Sequence, residues 1–175
     1  YKRQGLCLSP VSNPGSVTQS LATVPMVCAI HPDHPLAASP AIRPRDLMGE
    51  RLISFSSGTY FGQLLDDAFA KDGMERHTAI ELITAIQAPA LVLQGAGVAL
   101  VDRYMEGSGF PGIVWRPFVP QVLLPVNVIT STMRPTSRLA NRFLERLTAA
   151  LEAHRVRQAG GPAHPGTGTS SRGRA

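Results

Sequence analysis

The apolar run VPMVCAI at residues 24–30 constrains the fold most, because it is short, almost uninterrupted and followed at once by the turn sequence HPDHPL. An apolar run of this length bounded by turn residues is typical of a buried β-strand. Two similar runs follow further along the chain, RLISFS at residues 51–56 and GVALVD at residues 97–102. The chain therefore has to build a core around several short strands.

Segments with helical periodicity lie between these strands. The clearest is SSGTYFGQLLDDAFAKDG at residues 56–73, where apolar side chains recur at helical spacing and Gly73 ends the pattern. A second amphipathic helix is predicted at residues 137–155. Because strands and helices alternate, the predicted class is α/β with a largely parallel sheet.

The segment after residue 82 leaves two possibilities open. Thr84 and Gln87 have the spacing of a capping box, which predicts a helix start at Thr84. Pro89, however, falls inside that helix, where it removes a backbone hydrogen bond. The helix is expected either to begin near Ala88 or to kink.

The charge of the chain is unevenly distributed. Of the 17 Lys and Arg residues, four arginines follow Glu152, so the first 152 residues carry 13 basic groups against 12 acidic ones. A nucleic-acid-binding face needs clustered basic residues, and this nearly neutral body argues against one. We expect residues 153–175 to form a disordered basic tail, since no core residue occurs from about Gln158 onward.

Other features bear on the setting of the protein. No apolar run approaches the ~20 residues of a membrane span, and no signal-peptide pattern is present. The chain has no initiating Met, and we interpret it as truncated at its N-terminus. Cys7 and Cys28 lie in apolar runs, which favours reduced core thiols and a cytoplasmic protein.

Sets of catalytic or metal-binding residues are incomplete. His31 and His34 have no further ligands at zinc-site spacing, so we interpret HPDHPL as a surface turn and predict no metal. No G-x-S-x-G motif is present, and the adjacent Asp66 and Asp67 point to different faces of a helix. GAG at residues 95–97 lies between helix and strand, the reverse of a dinucleotide fingerprint. The sequence therefore predicts no enzyme and no cofactor.

One polar junction remains, FSSGTYFGQ, where a strand leads into a helix. The unpaired N–H groups of a helix N-terminus attract anions, and hydroxyl groups beside them can bind a carboxylate. Ser56, Ser57, Gly58 and Thr59 could supply such a site. Alternatively, one of these hydroxyls only caps the helix.

Taken in order, five stretches of the chain resemble the effector-binding domain of LysR-type transcriptional regulators. Each stretch alone is a weak signal, but their order along residues 5–152 is characteristic of the family. The stretches are PMVCAIHPDHPLA (25–37), DLMGERLIS (46–54), LLDDAFAKDG (64–73), LVLQGAGVALV (91–101) and ANRFLERL (140–147).

The resemblance implies an α/β fold of the type 2 periplasmic-binding-protein kind, with two lobes, crossover strands and an incomplete first lobe. Lobe II should span about residues 26–120, and residues 5–25 and 121–152 should be the remnant of lobe I. It also implies that the intact regulator is a homo-oligomer. DNA would be bound only through a helix-turn-helix that this chain lacks.

The resemblance further implies a small-molecule effector in the cleft between the lobes. The loop at residues 56–59 and Thr84 should face that cleft and bind a small anionic metabolite. Asp102 stands where many relatives have a proline, a variant that looks like the branch that answers to amino acids and opines. The alternative function is a stand-alone solute-binding protein of transport, which would need a secretion signal and complete lobes.

Overall fold

The computed structural model describes residues 4–11, 14–133 and 136–159. These residues belong to two compact units, Tyr1–Pro135 and Thr136–Ala175. The described part of the second unit contains one helix, α3 (Arg138–Ala159).

The first unit is a mixed α/β structure. Its strands are β1 (Gln4–Cys7), β2 (Ser16–Ile30), β3 (Leu52–Phe55), β4 (Ile80–Leu82), β5 (Val98–Asp102), β6 (Val114–Pro117) and β7 (Leu123–Ser131). Its α-helices are α1 (Tyr60–Lys71) and α2 (Ala88–Leu93). Short 3-10 helices cover Pro35–Ala38, Pro44–Leu47, Ala85–Gln87 and Arg103–Gly107.

Strand β2 is 15 residues long and belongs to two groups of strands. As far as Pro25 it pairs with β7, whose other edge pairs with β1. From Met26 onward it pairs with β5, and from Val27 also with β6. The first group is therefore β1–β7–β2, and the second group continues from β2 through β5 and β3 to β4.

The prediction of a largely parallel sheet is wrong. Among the described strands only the pairs β3–β4 and β3–β5 are parallel, while β2 is antiparallel to β5, β6 and β7. The reason is that no α-helix separates β5, β6 and β7 along the chain, and antiparallel strands need no helical crossover. The alternation of strands and helices holds only from β3 to β5.

The core is built on the second half of β2, β5 and β3, which lie next to one another in this order in the sheet. Every residue of β3 and β5 is buried, and residues 26–30 of β2 are buried as well. The rings of Phe69 and Phe118 stack with their centroids 6.0 Å apart. Cys28 is completely buried, which raises the pKa of its thiol, and Cys7 is half-buried; both cysteines are free.

The structure corrects the predicted capping box. The Thr84 side chain makes no capping hydrogen bond, and residues 85–87 form a 3-10 turn instead. Helix α2 begins at Ala88, as one of the two alternatives predicted, so Pro89 lies in the first helical turn. There its missing N–H is harmless, because the first N–H groups of a helix have no intrahelical acceptor.

Helix α3 is longer than the sequence predicts. It extends to Ala159, so residues 153–159 of the predicted disordered tail are helical. The prediction for residues 160–175 lies outside the described residues. Within the described ranges, no helix combines the length and apolar character needed to cross a membrane.

Two glycines are required by close backbone approaches. A Cβ added at Gly62, in the first turn of α1, would overlap the backbone carbonyl of Ser56. A Cβ at Gly97 would overlap the carbonyl of Arg51, and the φ of Gly97 is +151°, which L side chains rarely adopt. Gly62 thus lets α1 pack directly against the loop that follows β3.

We expect Gly62→Ala to destabilise the protein by an amount at or above the upper end of the ~1–3 kcal/mol typical of overpacking, because backbone atoms cannot move aside easily. Gly58→Ala is the matched control, since its Cβ would meet only the Ser56 hydroxyl, at an ordinary 3.9 Å. Urea unfolding measures both free energies. Equal stability of the two variants would contradict this packing.

Candidate functional site

The parallel strands β3, β4 and β5 end at one edge of the second group of strands. In open α/β sheets ligands bind beyond the carboxyl ends of parallel strands. Strand β2 enters the same edge, because Met26 pairs with Asp102, the last residue of β5. The candidate site therefore lies where β2 passes from one group of strands to the other.

The loop after β3 (residues 56–59, the 56–59 turn) caps helix α1. The backbone N–H of Thr59 donates to the Ser56 carbonyl at 2.9 Å, and the Thr59 hydroxyl donates to the same carbonyl at 2.7 Å. The Thr59 hydroxyl also accepts from the N–H of Gly62 at 3.0 Å. Both functions of this hydroxyl are thus used within the turn and the helix.

Several backbone donors at the 56–59 turn remain available. The N–H of Gln63 donates to the Thr59 carbonyl, which is the first backbone hydrogen bond of α1. The N–H groups of Tyr60 and Phe61, which precede it in the helix, have no intrahelical acceptor. In the described part of the chain these two groups have no acceptor, nor do the N–H groups of Ser57 and Gly58. Ser57 and Gly58 are exposed to solvent.

A buried arginine that the sequence analysis missed supports this turn. The Arg76 side chain is 0% exposed, and its Nε donates to Asp66 Oδ1 at 2.7 Å. Its Nη1 donates to the Phe55 carbonyl at 2.9 Å and to Thr78 Oγ1 at 2.6 Å. Arginine is almost never fully buried without partners, and here the partners come from β3, α1 and the segment before β4.

The same guanidinium reaches the 56–59 turn itself. Its Nη2 donates to Ser57 Oγ and to the Gly62 carbonyl, both at 3.3 Å. The sequence offers no signal for this contact, because Arg76 is one basic residue among the polar residues after Gly73. Only the fold brings it beside the turn.

The second predicted position, Thr84, follows β4 and is exposed. Parallel pairing of β4 with β3 brings the end of β4 to the same edge as the 56–59 turn. Beside it are two exposed apolar side chains, Ile83 at 90% and Ile86 at 52% exposure. The edge thus combines a polar turn with an apolar surface.

A buried carboxyl group lies at the end of β5. Asp102 is 5% exposed and accepts a hydrogen bond from the backbone N–H of Tyr104 at 3.1 Å, which caps the turn Arg103–Gly107. Burial raises the pKa of this carboxyl, although its backbone hydrogen bonds act in the opposite direction. Near β2, this edge of the strands therefore contains a carboxyl group, that of Asp102, whose charged form is disfavoured by burial.

The two histidines of HPDHPL make local contacts. His34 Nδ1 accepts from the N–H of Leu36 at 3.2 Å, and its Nε2 lies 3.2 Å from Glu50 Oε2. His31 Nδ1 accepts from the N–H of Asp33 at 3.3 Å. Among the described residues no three His, Cys, Asp or Glu side chains form a group that could hold a metal ion.

Two groups of strands joined by a long shared strand, with a helix N-terminus at the crossing edge, define a ligand-binding domain. The family model of the LysR substrate binding domain matches residues 5–152, and the chain belongs to this family. The predicted family and the predicted type 2 periplasmic-binding-protein-like α/β fold are confirmed.

Two curated relatives and one solved structure illustrate the similarity. The transcriptional activator protein LysR of Escherichia coli (strain K12) is 32% identical over 138 residues, which cover 78% of this chain and 44% of that protein. The octopine catabolism/uptake operon regulatory protein OccR of Rhizobium meliloti is 29% identical over 96 residues, 55% of this chain and 32% of that protein. The chain thus spans less than half the length of these relatives.

The solved structure is the BenM effector binding domain with its effector benzoate. It superposes with a TM-score of 0.71 at 19% identity, covering 88% of this chain and 71% of that one. At this identity the match shows the shared fold.

We expect Asp102→Asn to change the pH dependence of stability. Because the folded-state pKa of Asp102 is raised above its ordinary value of 3.8, the folded protein binds this proton more tightly than the unfolded chain. The parent should therefore lose stability as pH rises from that ordinary value through the raised pKa. Asparagine keeps the cap but does not titrate, so the variant should gain stability relative to the parent over that window.

Urea unfolding of both proteins between about pH 4 and pH 7 measures this difference. The comparison cancels the titration of all other groups. A difference in unfolding free energy that stays constant with pH would contradict the raised pKa.

Proposed function

We propose that this chain senses a small anionic effector for a bacterial LysR-type transcriptional regulator and that the 56–59 turn binds the effector carboxylate. The observation that carries the proposal is the set of unpaired N–H donors beside the Ser57 hydroxyl, at the edge where β2 crosses. A helix N-terminus with unpaired N–H groups favours an anion through hydrogen bonds and the helix dipole.

The predicted residues have different roles in this proposal. Ser57 and Gly58 are exposed, so the hydroxyl of Ser57 and both backbone N–H groups can reach a ligand. Gly58 allows close approach because it has no side chain. Ser56 contributes its carbonyl to the turn, and Thr59 acts as the cap, since its hydroxyl is already engaged at both ends.

The apolar surface beside Thr84 suits the rest of the ligand. Ile83 and Ile86 expose large side chains there, and burying them under a ligand would remove apolar area from water. We propose that Thr84 contacts the ligand with its hydroxyl. A carboxylate joined to an aliphatic or aromatic part fits both surfaces.

Two comparisons support a carboxylate-bearing metabolite such as an amino acid or an opine. BenM is described with benzoate, a carboxylate, as its effector. OccR is described as regulating an octopine catabolism and uptake operon, and octopine is an opine. These two similarities determine which carboxylates should be tested as ligands of this chain.

Membership of the family also supports proposals about the whole regulator. We propose that the whole regulator is an oligomer in the cytoplasm, that it is not an enzyme, and that its DNA contacts come from outside this domain. The nearly equal numbers of basic and acidic groups in the first 152 residues support the last point. A stand-alone solute-binding protein remains the alternative function.

We expect Ser57→Ala to weaken carboxylate binding about tenfold to a hundredfold, the effect of losing one hydrogen bond to a charged group. Isothermal titration with octopine and a panel of amino acids measures it. Thr59→Ala is the comparison variant: it should lower the unfolding free energy by ~1 kcal/mol and weaken binding less than Ser57→Ala does, because the Thr59 hydroxyl is already bonded within the turn. If no carboxylate binds the parent, the proposed ligand class is wrong.

A further inference from the structure

On the basis of the proposed function, we infer that Arg76 is a positioning residue that makes the Ser57 hydroxyl an outward hydrogen-bond donor. Arg76 thereby favours ligands that carry a hydrogen-bond acceptor at this position. The guanidinium does this from inside the protein. Its side chain is 0% exposed, so it reaches a ligand only through Ser57.

Most hydrogen bonds of the Arg76 guanidinium anchor it to groups other than Ser57. Four of the five hydrogen bonds of the guanidinium go to β3, α1 and the segment before β4, and the fifth goes to Ser57 Oγ at 3.3 Å. With its other bonds fixed, the guanidinium has a defined place. It therefore presents one N–H to Ser57 at a fixed position.

The chemistry of the guanidinium fixes the direction of its hydrogen bond with Ser57. A guanidinium carries only hydrogen-bond donors, so Ser57 Oγ has to accept from Arg76. A serine hydroxyl has one hydrogen, and with a lone pair occupied by Arg76 that hydrogen is available for another acceptor. Because Ser57 is exposed, this acceptor is solvent or a bound ligand. A carboxylate oxygen can accept this hydrogen, whereas an ammonium group can bind only through the remaining lone pair of Oγ.

Asp66 supports Arg76 at the remaining side-chain nitrogen of the arginine, Nε. The Asp66 carboxylate, whose side chain is 34% exposed, is 2.7 Å from Nε and compensates the buried charge. Lysine at position 76 keeps a charge but lacks the planar fork that reaches several acceptors at once. Arg76→Lys should therefore keep a partner for Asp66 and lose the bond to Ser57.

A double-mutant cycle tests the inference, with octopine or the strongest-binding carboxylate of the panel as probe. We expect Arg76→Lys to weaken binding about tenfold in the parent and less than about twofold in the Ser57→Ala background, because the effect acts through Ser57. Arg45→Lys is the matched control, since the Arg45 side chain is 68% exposed, and it should change affinity in neither background. Equal losses from Arg76→Lys in both backgrounds would overturn the inference.

Amide hydrogen exchange separates failure of this inference from failure of the proposed function, since it needs no ligand. In Arg76→Lys, or in Asp66→Asn if the lysine variant does not fold, exchange should speed up more at the hydrogen-bonded amides of Thr59 and Gly62 than at Ile53 and Leu100 in the core. A uniform increase at all four positions would show that Arg76 only stabilises the fold. If no carboxylate binds the parent but exchange changes selectively, Arg76 positions the turn and only the ligand class is wrong.

Discussion

The partner change of β2 between Pro25 and Met26 is the constraint on which the site depends. Before this point the strand is paired with β7, and after it with β5. Because Met26 pairs with Asp102, the crossing point lies at the carboxyl edge of the parallel strands. The polar residues that follow β3 and β4 are brought to that edge by the sheet rather than by their spacing in the sequence.

The 56–59 turn depends on a second set of contacts that lies behind it. Gly62 allows α1 to approach the Ser56 carbonyl, and the buried Arg76 ties Ser57 to β3 and α1. These contacts leave the turn with exposed donors on a fixed frame. Such preorganisation reduces the ordering that binding would otherwise require.

Much of the secondary structure was predictable from the sequence, because apolar runs and helix ends are local signals. The buried strand at residues 24–30, the helix within residues 56–73 and the strand within residues 97–102 are examples. The first half of β2 was missed because residues 16–23 are mostly polar or exposed. The contacts of Arg76 could not be predicted because important partners are distant in sequence: Phe55 is 21 residues away and Ser57 is 19 residues away.

In the proposed function a carboxylate binds at the N-terminus of α1, beside the crossing of β2. Amide chemical shifts recorded while octopine or another binding carboxylate is added test it most directly. We expect the largest changes at Ser57, Gly58, Tyr60 and Phe61, with smaller changes near Thr84. Saturable shifts confined to residues away from this edge, such as the Pro35–Ala38 turn, would contradict it.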